Sequence, residues 1–397
     1  MRKNPSAYFQ SLFNPHYLKN NPLILSISFL LFVGLYFVFN ATVITSLETY
    51  GNPYRFAILH FFWILIGLGF FYFFFYIDLF KLRKVTLVFY FFTLLTLVPL
   101  FVARFFPCDY GLAFAPCTNG AIRWLVLNPA PLPKIPFIGT ISFQPSELAK
   151  LSIVLITSFF LTKETLNFNQ KIKRILIFNL PLIVFVFFQP NKSTSFIMLS
   201  IVFSLYFVYG QKLKYLFYSF VPILLVFLTF IFVNTYSLER VLTFLRINEN
   251  ESSNYHSRQI QISLGSGGLF GVGLGQSRQK FSFLPEISSD SIFAIIGEEA
   301  GLVGSIIVLG VIFYIIYLGA SVSEKQSETY FKLLALGITS WFGVQTIVNV
   351  GAMVGLIPLT GVPLPLISYG GSSTIFMMIA FGILGNISRN VYEPGRA

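Results

Sequence analysis

The chain contains 397 residues, of which 55 % are hydrophobic and 11 % are charged, and its mean hydropathy is +0.75. A water-soluble domain carries roughly 25 % charged residues, so the composition excludes a soluble globular protein, and the high hydrophobicity excludes a disordered one. The formal net charge of +12 follows the membrane topology described below and requires no nucleic-acid partner. We therefore expect an all-α polytopic membrane protein that forms a single domain over residues 1–397.

Long uncharged runs mark the predicted membrane crossings, each of which needs about 20 apolar residues. Runs that fit one crossing each are 20–47, 56–77, 85–103, 175–191, 193–211, 215–238 and 300–323. A further crossing is predicted over 146–162. The run 333–388 must hold two crossings, because prolines and a glycine between 358 and 365 interrupt it. The sequence thus predicts about ten crossings, with both termini on the same side.

The distribution of Lys and Arg orients these crossings, because short cytoplasmic loops carry an excess of both. If the N-terminal segment 1–22 and the tail 389–397 are cytoplasmic, the inner segments hold 16 of the 27 basic residues and five of the 15 acidic ones. Two long segments, 104–145 and 237–290, then lie outside, the second between the seventh and eighth crossings. The first crossing is too long for the h-region of a cleavable signal peptide and is expected to remain as an anchor.

Both cysteines, Cys108 and Cys117, fall in the first outer segment. A disulfide between them would close a small loop and stabilise the fold by about 2–3 kcal/mol in the chain-entropy model. Two free thiols are the alternative, because spacing alone does not fix the pairing.

The second outer segment is long enough to be functional and carries five basic and five acidic side chains. It also holds a glycine-rich run, 265–275, which permits tight turns and close approach of the backbone to a ligand. Cations and carboxylates beside such backbone suit an anionic substrate that must also undergo proton transfer. A solvated loop with surface ion pairs is the alternative interpretation.

Charges at membrane depth are costly unless they are paired. Glu147 and Lys150 are three residues apart, share a helix face and can neutralise each other. Glu298 and Glu299 are predicted to begin the eighth crossing, where the positive end of the helix dipole favours carboxylates. Both pairs are compatible with a purely structural role.

Several blocks, in order along nearly the whole chain, resemble the SEDS family, the FtsW/RodA polytopic proteins of cell division and cell shape. They are residues 123–124, 143–150, 189–190, 255–259, 264–268, 275–280, 284–286, 297–299, 345–349 and 363–373. Any one block is a weak signal. Their order and their agreement with the topology make the resemblance strong.

The resemblance implies a peptidoglycan glycosyltransferase of the bacterial cytoplasmic (inner) membrane. Such enzymes polymerise lipid II, an undecaprenyl-pyrophosphate-linked disaccharide-peptide, at the outer face. The resemblance also implies a class B penicillin-binding protein as transpeptidase partner, with other division or elongation proteins. The blocks 275–280 and 370–373 favour the division branch, FtsW, and the elongation branch, RodA, is the alternative. No cofactor is evident. Whether a divalent cation assists the reaction stays open, and the sequence shows no cluster of metal ligands that would hold one.

Joining two sugars requires a base for the proton of the acceptor hydroxyl, and a carboxylate in this role contributes roughly 10²–10⁴-fold. The family usually carries its catalytic aspartate six residues before the tyrosine that matches Tyr255, which is the position of Glu249. Glu251 is the alternative base. Because either arm is one methylene longer than that of aspartate, the backbone must have adjusted or the activity is weak.

The other candidate residues are expected to bind the substrate, the cations by stabilising charge on the pyrophosphate leaving group. They are Arg123, Trp124, Lys150, Arg246, Tyr255, Arg258, Gln259, Lys280, Glu286, Ser368 and Ser372. Two other functions stay open at this point. One is a lipid II flippase or transporter that uses the intramembrane charges, although no internal repeat of the kind found in many transporters is visible. The other is a catalytically inactive division scaffold.

Overall fold

The computed structural model describes residues 21–108, 112–118, 120–134, 139–210, 235–244, 251–281 and 287–392. The helices in these ranges are α1 (Pro22–Tyr50), α2 (Arg55–Tyr76), α3 (Leu79–Ala103), α4 (Pro145–Leu161), α5 (Phe168–Phe188), α6 (Lys192–Val208), α7 (Thr235–Phe244), α8 (Glu251–Gly267), α9 (Ile292–Glu324), α10 (Thr329–Met353) and α11 (Gly371–Tyr392). The strands are β1 (Cys117–Thr118), β2 (Ala121–Ile122), β3 (Leu125–Val126) and β4 (Ser142–Phe143).

Length and hydropathy show that this is a membrane fold. Helices α1, α2, α3, α9, α10 and α11 are each long and apolar enough to cross a bilayer. Every predicted crossing coincides with a helix except 215–238, most of which lies outside the described residues. The expected all-α polytopic membrane fold is therefore confirmed.

Helix α4 forms the centre of the bundle. All of its residues except Phe159 are buried, and it packs against α3, α5, α6 and α10. Helices α2 and α3 instead expose large apolar side chains such as Phe73 and Leu95. Such side chains suit contact with lipid, whose apolar tails replace water as the solvent in a bilayer. The charged side chains of α4 are thus enclosed by protein.

Helix α9 differs from its prediction. It begins at Ile292, and it breaks at Gly301, where φ is 67° and ψ is −166°. Glu298 and Glu299 therefore do not begin the helix, as the uncharged run beginning at 300 had suggested, but lie just before the break.

The two outer segments, predicted as long loops, contain regular secondary structure. In the first, β1 pairs with β2 and β3 with β4, both antiparallel. The structure joins Cys108 and Cys117 by a disulfide, with 5.5 Å between their Cα atoms. The second segment, expected to be a long loop, contains α8 and most of α7.

Candidate active site

The structure gives no side-chain contacts for either predicted catalytic glutamate. Glu249 lies outside the described residues, as do the substrate-binding candidates Arg246 and Glu286. Glu251 is the first residue of α8, and its side chain is not described. The roles of these residues stay predictions.

The other candidates on α8 lie in its first three turns. Tyr255 is 42 % exposed, Arg258 is also exposed, and Gln259 is half-buried. Their spacing of three and four residues keeps Tyr255, Arg258 and Gln259 close together on the helix surface. The structure thus places an aromatic ring, a cation and an amide on one accessible helix.

Contacts with the start of α9 hold α8 in place. Nε2 of His256 lies 2.9 Å from Oγ of Ser291, and the Ser291 hydroxyl donates to Asp290 Oδ1 at 3.4 Å. Two turns along α8, the Ser263 hydroxyl donates to the carbonyl of Ala294 at 2.9 Å. Sequence reasoning missed His256, although its place next to Tyr255 was a usable signal.

The glycine-rich run packs on the break in α9. The backbone N–H groups of Leu302 and Val303 donate to the carbonyls of Gly268 and Leu269 at 3.0 and 3.1 Å. In return, Val272 N–H donates to the carbonyl of Glu298 at 2.9 Å. Because lipid offers no hydrogen bonds, irregular backbone in a membrane protein must be satisfied by protein in this way.

The glycines permit this close backbone contact. A Cβ atom at Gly271 would lie 2.1 Å from the carbonyl oxygen of Glu299, and one at Gly267 would lie 1.9 Å from that of Gly297. The sequence predicts that the glycine-rich run approaches a ligand. At Gly267 and Gly271 it instead approaches the backbone of α9.

Glu298 and Glu299 anchor the loop that follows the glycine run. Oε2 and Oε1 of Glu299 accept from the backbone N–H groups of Gly275 and Ser277 at 2.9 and 3.1 Å. The Glu298 carboxylate accepts from the Ser277 hydroxyl at 2.6 Å and from Arg278 N–H at 2.9 Å. Both glutamates are almost fully buried. Their charges hold residues 275–278 in one conformation.

This anchored loop ends at Lys280, a predicted pyrophosphate ligand. Its ammonium donates to Asn40 Oδ1 on α1 at 3.2 Å and to the carbonyl of Gly275. Asn40 in turn donates to Glu299. An ammonium has three N–H donors, and the contacts with described residues use two. Lys280 therefore has a fixed position and a donor left for a ligand.

The predicted pair Glu147 and Lys150 lies inside the bundle. Their charged atoms are 2.8 Å apart, and both side chains are nearly fully buried. Lys150 also donates to Gln345 Oε1 at 2.7 Å, and its Nζ lies 5.0 Å from the centre of the Trp341 ring. These contacts give Lys150 a structural position, and its predicted substrate contact remains a prediction.

Arg123 fixes a turn on the outer side. Its guanidinium donates to the carbonyls of Gln189 and Pro190 at 3.3 and 2.8 Å, in the turn between α5 and α6. Trp124, the next residue, is half-buried beside it. The structure thus brings together two of the sequence blocks, 123–124 and 189–190, through main-chain hydrogen bonds.

The serines of the last block are part of the scaffold. Ser368 Oγ accepts from Leu364 N–H at 2.8 Å, and Ser372 Oγ accepts from Gln144 N–H, just before α4, at 3.0 Å. Asn349 of α10 donates to the carbonyls of Asp290 and Val362 at 2.8 and 2.7 Å. The outer ends of α4, α9, α10 and α11 are therefore tied together beneath the site.

In the part of the chain that the structure describes, no group of three or more His, Cys, Asp or Glu side chains could hold a metal ion. Near the glycine-rich run, the described residues link Lys280 to Glu299 through Asn40, and Glu298 anchors the same loop. The structure places Arg258 on the neighbouring α8 and Arg123 in a separate cluster with the α5–α6 turn.

Comparisons with known proteins give a consistent result. The sequence profile of the FtsW/RodA/SpoVE family, described as cell cycle proteins, matches residues 21–393. A relative from Aliivibrio salmonicida, named probable peptidoglycan glycosyltransferase FtsW, is 31 % identical over 93 % of this chain and 90 % of its own length. Stage V sporulation protein E of Bacillus subtilis is 34 % identical over 64 % of this chain and 70 % of its own.

Solved structures share the fold. The rod shape determining protein RodA of Thermus thermophilus superposes with a TM-score of 0.64 at 22 % identity, over 94 % of this chain and 97 % of that one. A chain from a peptidoglycan synthase complex, solved to describe how polymerization and crosslinking are coordinated, gives a TM-score of 0.70 at 23 % identity, over 94 % and 98 %. Because the family profile and a relative of 31 % identity each span most of the sequence, the chain belongs to the FtsW/RodA/SpoVE family of integral inner-membrane proteins.

Proposed function

We propose that the chain is a peptidoglycan glycosyltransferase that polymerises lipid II at the outer face of the cytoplasmic membrane. The observation that carries this proposal is the anchored loop at the outer end of α1 and α9. There, two buried glutamates hold residues 275–278, and Lys280 is fixed beside them. The names of relatives that align over most of the chain support the same activity.

The reaction forms a bond between the acceptor hydroxyl oxygen and the donor's anomeric carbon. The carbon–oxygen bond to the pyrophosphate breaks at the same centre, and undecaprenyl pyrophosphate leaves with the bonding electrons. Glu249, or Glu251 in its place, takes the proton of the acceptor hydroxyl as general base. Arg258 and Lys280 stabilise the negative charge that develops on the leaving group.

Fixed groups serve this chemistry better than mobile ones. Electrostatic stabilisation is effective when donors and cations already point to where the charge develops, because no reorganisation is then needed. The hydrogen bonds from residues 275–278 to Glu298 and Glu299 supply that rigidity for Lys280. The two carboxylates are positioning residues, since both oxygens of each already accept from backbone, hydroxyl or amide donors.

The partner in this proposal is a class B penicillin-binding protein that crosslinks the new strands, and the pathway is cell division. The solved synthase complex that shares the fold supports the partnership, and relatives named FtsW support the division branch. The intramembrane charges favour a polymerase over a lipid II transporter, because Glu147, Lys150, Glu298 and Glu299 bind each other or neighbouring groups inside the protein.

The test is strand synthesis from lipid II by the purified chain, with and without its transpeptidase partner, followed by gel separation of the glycan products. We expect strands from the parent protein and none from a variant that carries both Glu249→Gln and Glu251→Gln. Undiminished strands from the double variant would remove these glutamates from the mechanism. No strands from the parent even with the partner, combined with lipid II transfer between vesicle leaflets, would overturn the proposal in favour of transport.

A further inference from the structure

A groove runs along the line where α1 and α2 pack together, on the outside of the bundle. Its volume is ≈ 410 Å³, within the range of about 300–1,000 Å³ typical of small-molecule sites. Phe32, Tyr36 and Phe39 line one wall, and Tyr54 and Phe61 line the other. Phe32 and Phe61 are 72 % and 45 % exposed, so this end of the groove opens to the bilayer.

The groove lies in the outer half of the membrane. Helix α2 has 22 residues, a length of about 33 Å at 1.5 Å per residue, which matches a hydrocarbon core of about 30 Å. Its first residue, Arg55, therefore marks the outer interface. Phe39 lies at that level because its ring stacks on Tyr54 with 5.6 Å between the centroids. From there the groove descends along α1 to Phe32.

A cation stands beside the outer end of the groove. Asn40 follows Phe39, lies one helical turn from Tyr36 and binds the ammonium of Lys280. The Glu299 carboxylate, which binds the same Asn40, also accepts from the backbone of Gly275 and Ser277. Lys280 makes no ion pair with any described residue, so its charge is available to an anion at the interface.

We propose that this groove binds the isoprenoid tail of a lipid-linked pyrophosphate, and that Lys280 binds the pyrophosphate at the outer end of the groove. The inference rests on the proposed function and specifies where its substrate lies. A pyrophosphate carries more negative charge than the phosphodiester of an ordinary phospholipid, which favours it beside a lysine. Because the bilayer is as apolar as the groove, the tail gains van der Waals contact with the aromatic walls rather than hydrophobic energy.

The test fills the groove and varies the tail. Ala57 lines the groove, so Ala57→Trp occupies the space of the tail. With native-length lipid II we expect the KM of Ala57→Trp to rise about tenfold, the factor that 1.4 kcal/mol of lost binding produces. With a short-tail analogue that carries the same pyrophosphate disaccharide-peptide, the KM should not change. Ile66→Trp, at an exposed position of α2 that does not line the groove, is the matched control. An equal KM change with both substrates, or none, overturns the groove assignment.

Variants of Lys280 should change the KM independently of tail length, because Lys280 is assigned to the pyrophosphate and not to the tail. Lys280→Gln should raise the KM for both tail lengths by the same factor, and Lys280→Arg should restore it. A KM effect of Lys280→Gln that is confined to the long tail would contradict the assignment.

Photo-crosslinking tests the groove without any variant. An isoprenyl pyrophosphate that carries a benzophenone near the end of its tail should label residues 32–39 and 54–61, even in a preparation that makes no strands. Failure of the proposed function and failure of the groove are therefore distinguishable. Labelling elsewhere, equal labelling by a phospholipid probe, or loss of labelling when the transpeptidase partner's membrane helix is added would each overturn the proposal.

Discussion

Asn40, in the outer half of α1, donates a hydrogen bond to the carboxylate of Glu299, just before the break in α9. The same asparagine accepts from Lys280. One polar residue on α1 thus links a buried carboxylate of α9 to a cation of the outer loop. This link makes the rigidity of the anchored loop testable.

We expect Glu299→Gln to loosen the anchored loop. The amide NH₂ of glutamine is a donor, so it cannot accept from the backbone N–H groups of Gly275 and Ser277 as a carboxylate oxygen does. Hydrogen bonds to a charged group contribute about 1.5–3 kcal/mol each, so the melting temperature in detergent should fall together with strand synthesis. Glu324→Gln, at the exposed end of the same helix, is the control. Unchanged melting and activity in Glu299→Gln would contradict the anchoring role.

Gly271 tests the backbone contact at the break. Its φ is 82°, and a Cβ atom added there would lie 2.1 Å from the carbonyl oxygen of Glu299, so Gly271→Ala should destabilise the protein by more than about 1 kcal/mol. Gly265→Ala is the matched control, because a Cβ there meets open space inside α8. That change should be neutral or stabilising by up to about 1 kcal/mol. Thermal unfolding of the two variants side by side checks the difference; equal melting temperatures would refute the contact.

The crossings could be predicted from the sequence because a bilayer imposes one rule on every segment. A run of about 20 uncharged residues has few alternatives to a membrane helix. The break at Gly301 could not be predicted in this way, because the contacts that satisfy its peptide groups come from residues 268–273, some thirty positions earlier in the chain. Apolar runs carry no information about such distant partners.

In the site too, local contacts could be predicted from the sequence and contacts between distant elements could not. The spacing of three residues on one helix predicts that Glu147 and Lys150 pair, and their charged atoms are 2.8 Å apart in the structure. The partners of Lys280, Asn40 and Glu299, are on other elements, so no local pattern could identify them. Ser368 and Ser372 are predicted substrate ligands because they lie in the family-like block 363–373, and in the structure their hydroxyls accept backbone hydrogen bonds within the scaffold.

Lys150→Met should be strongly destabilising, because it leaves the Glu147 carboxylate buried without its partner. Breaking a buried pair in this way costs about 3–5 kcal/mol. Adding Glu147→Gln to Lys150→Met removes the unpaired charge and should recover a substantial part of the loss. Unfolding of the two single variants and the double variant completes the cycle. Strict additivity of the two single effects would show that the side chains do not interact.

Arg123→Ala decides between a substrate-binding and a structural role for this arginine. Its guanidinium donates to the carbonyls of Gln189 and Pro190, so truncation leaves two acceptors at the α5–α6 turn without their donor. The expected loss is about 1–3 kcal/mol, seen as a lower melting temperature even without lipid II. Arg123→Lys keeps the charge but cannot reproduce the two-point contact, and should recover only part of the stability. If both variants melt like the parent while strand synthesis falls, Arg123 acts on the substrate, because a residue that only held the turn would lower stability first.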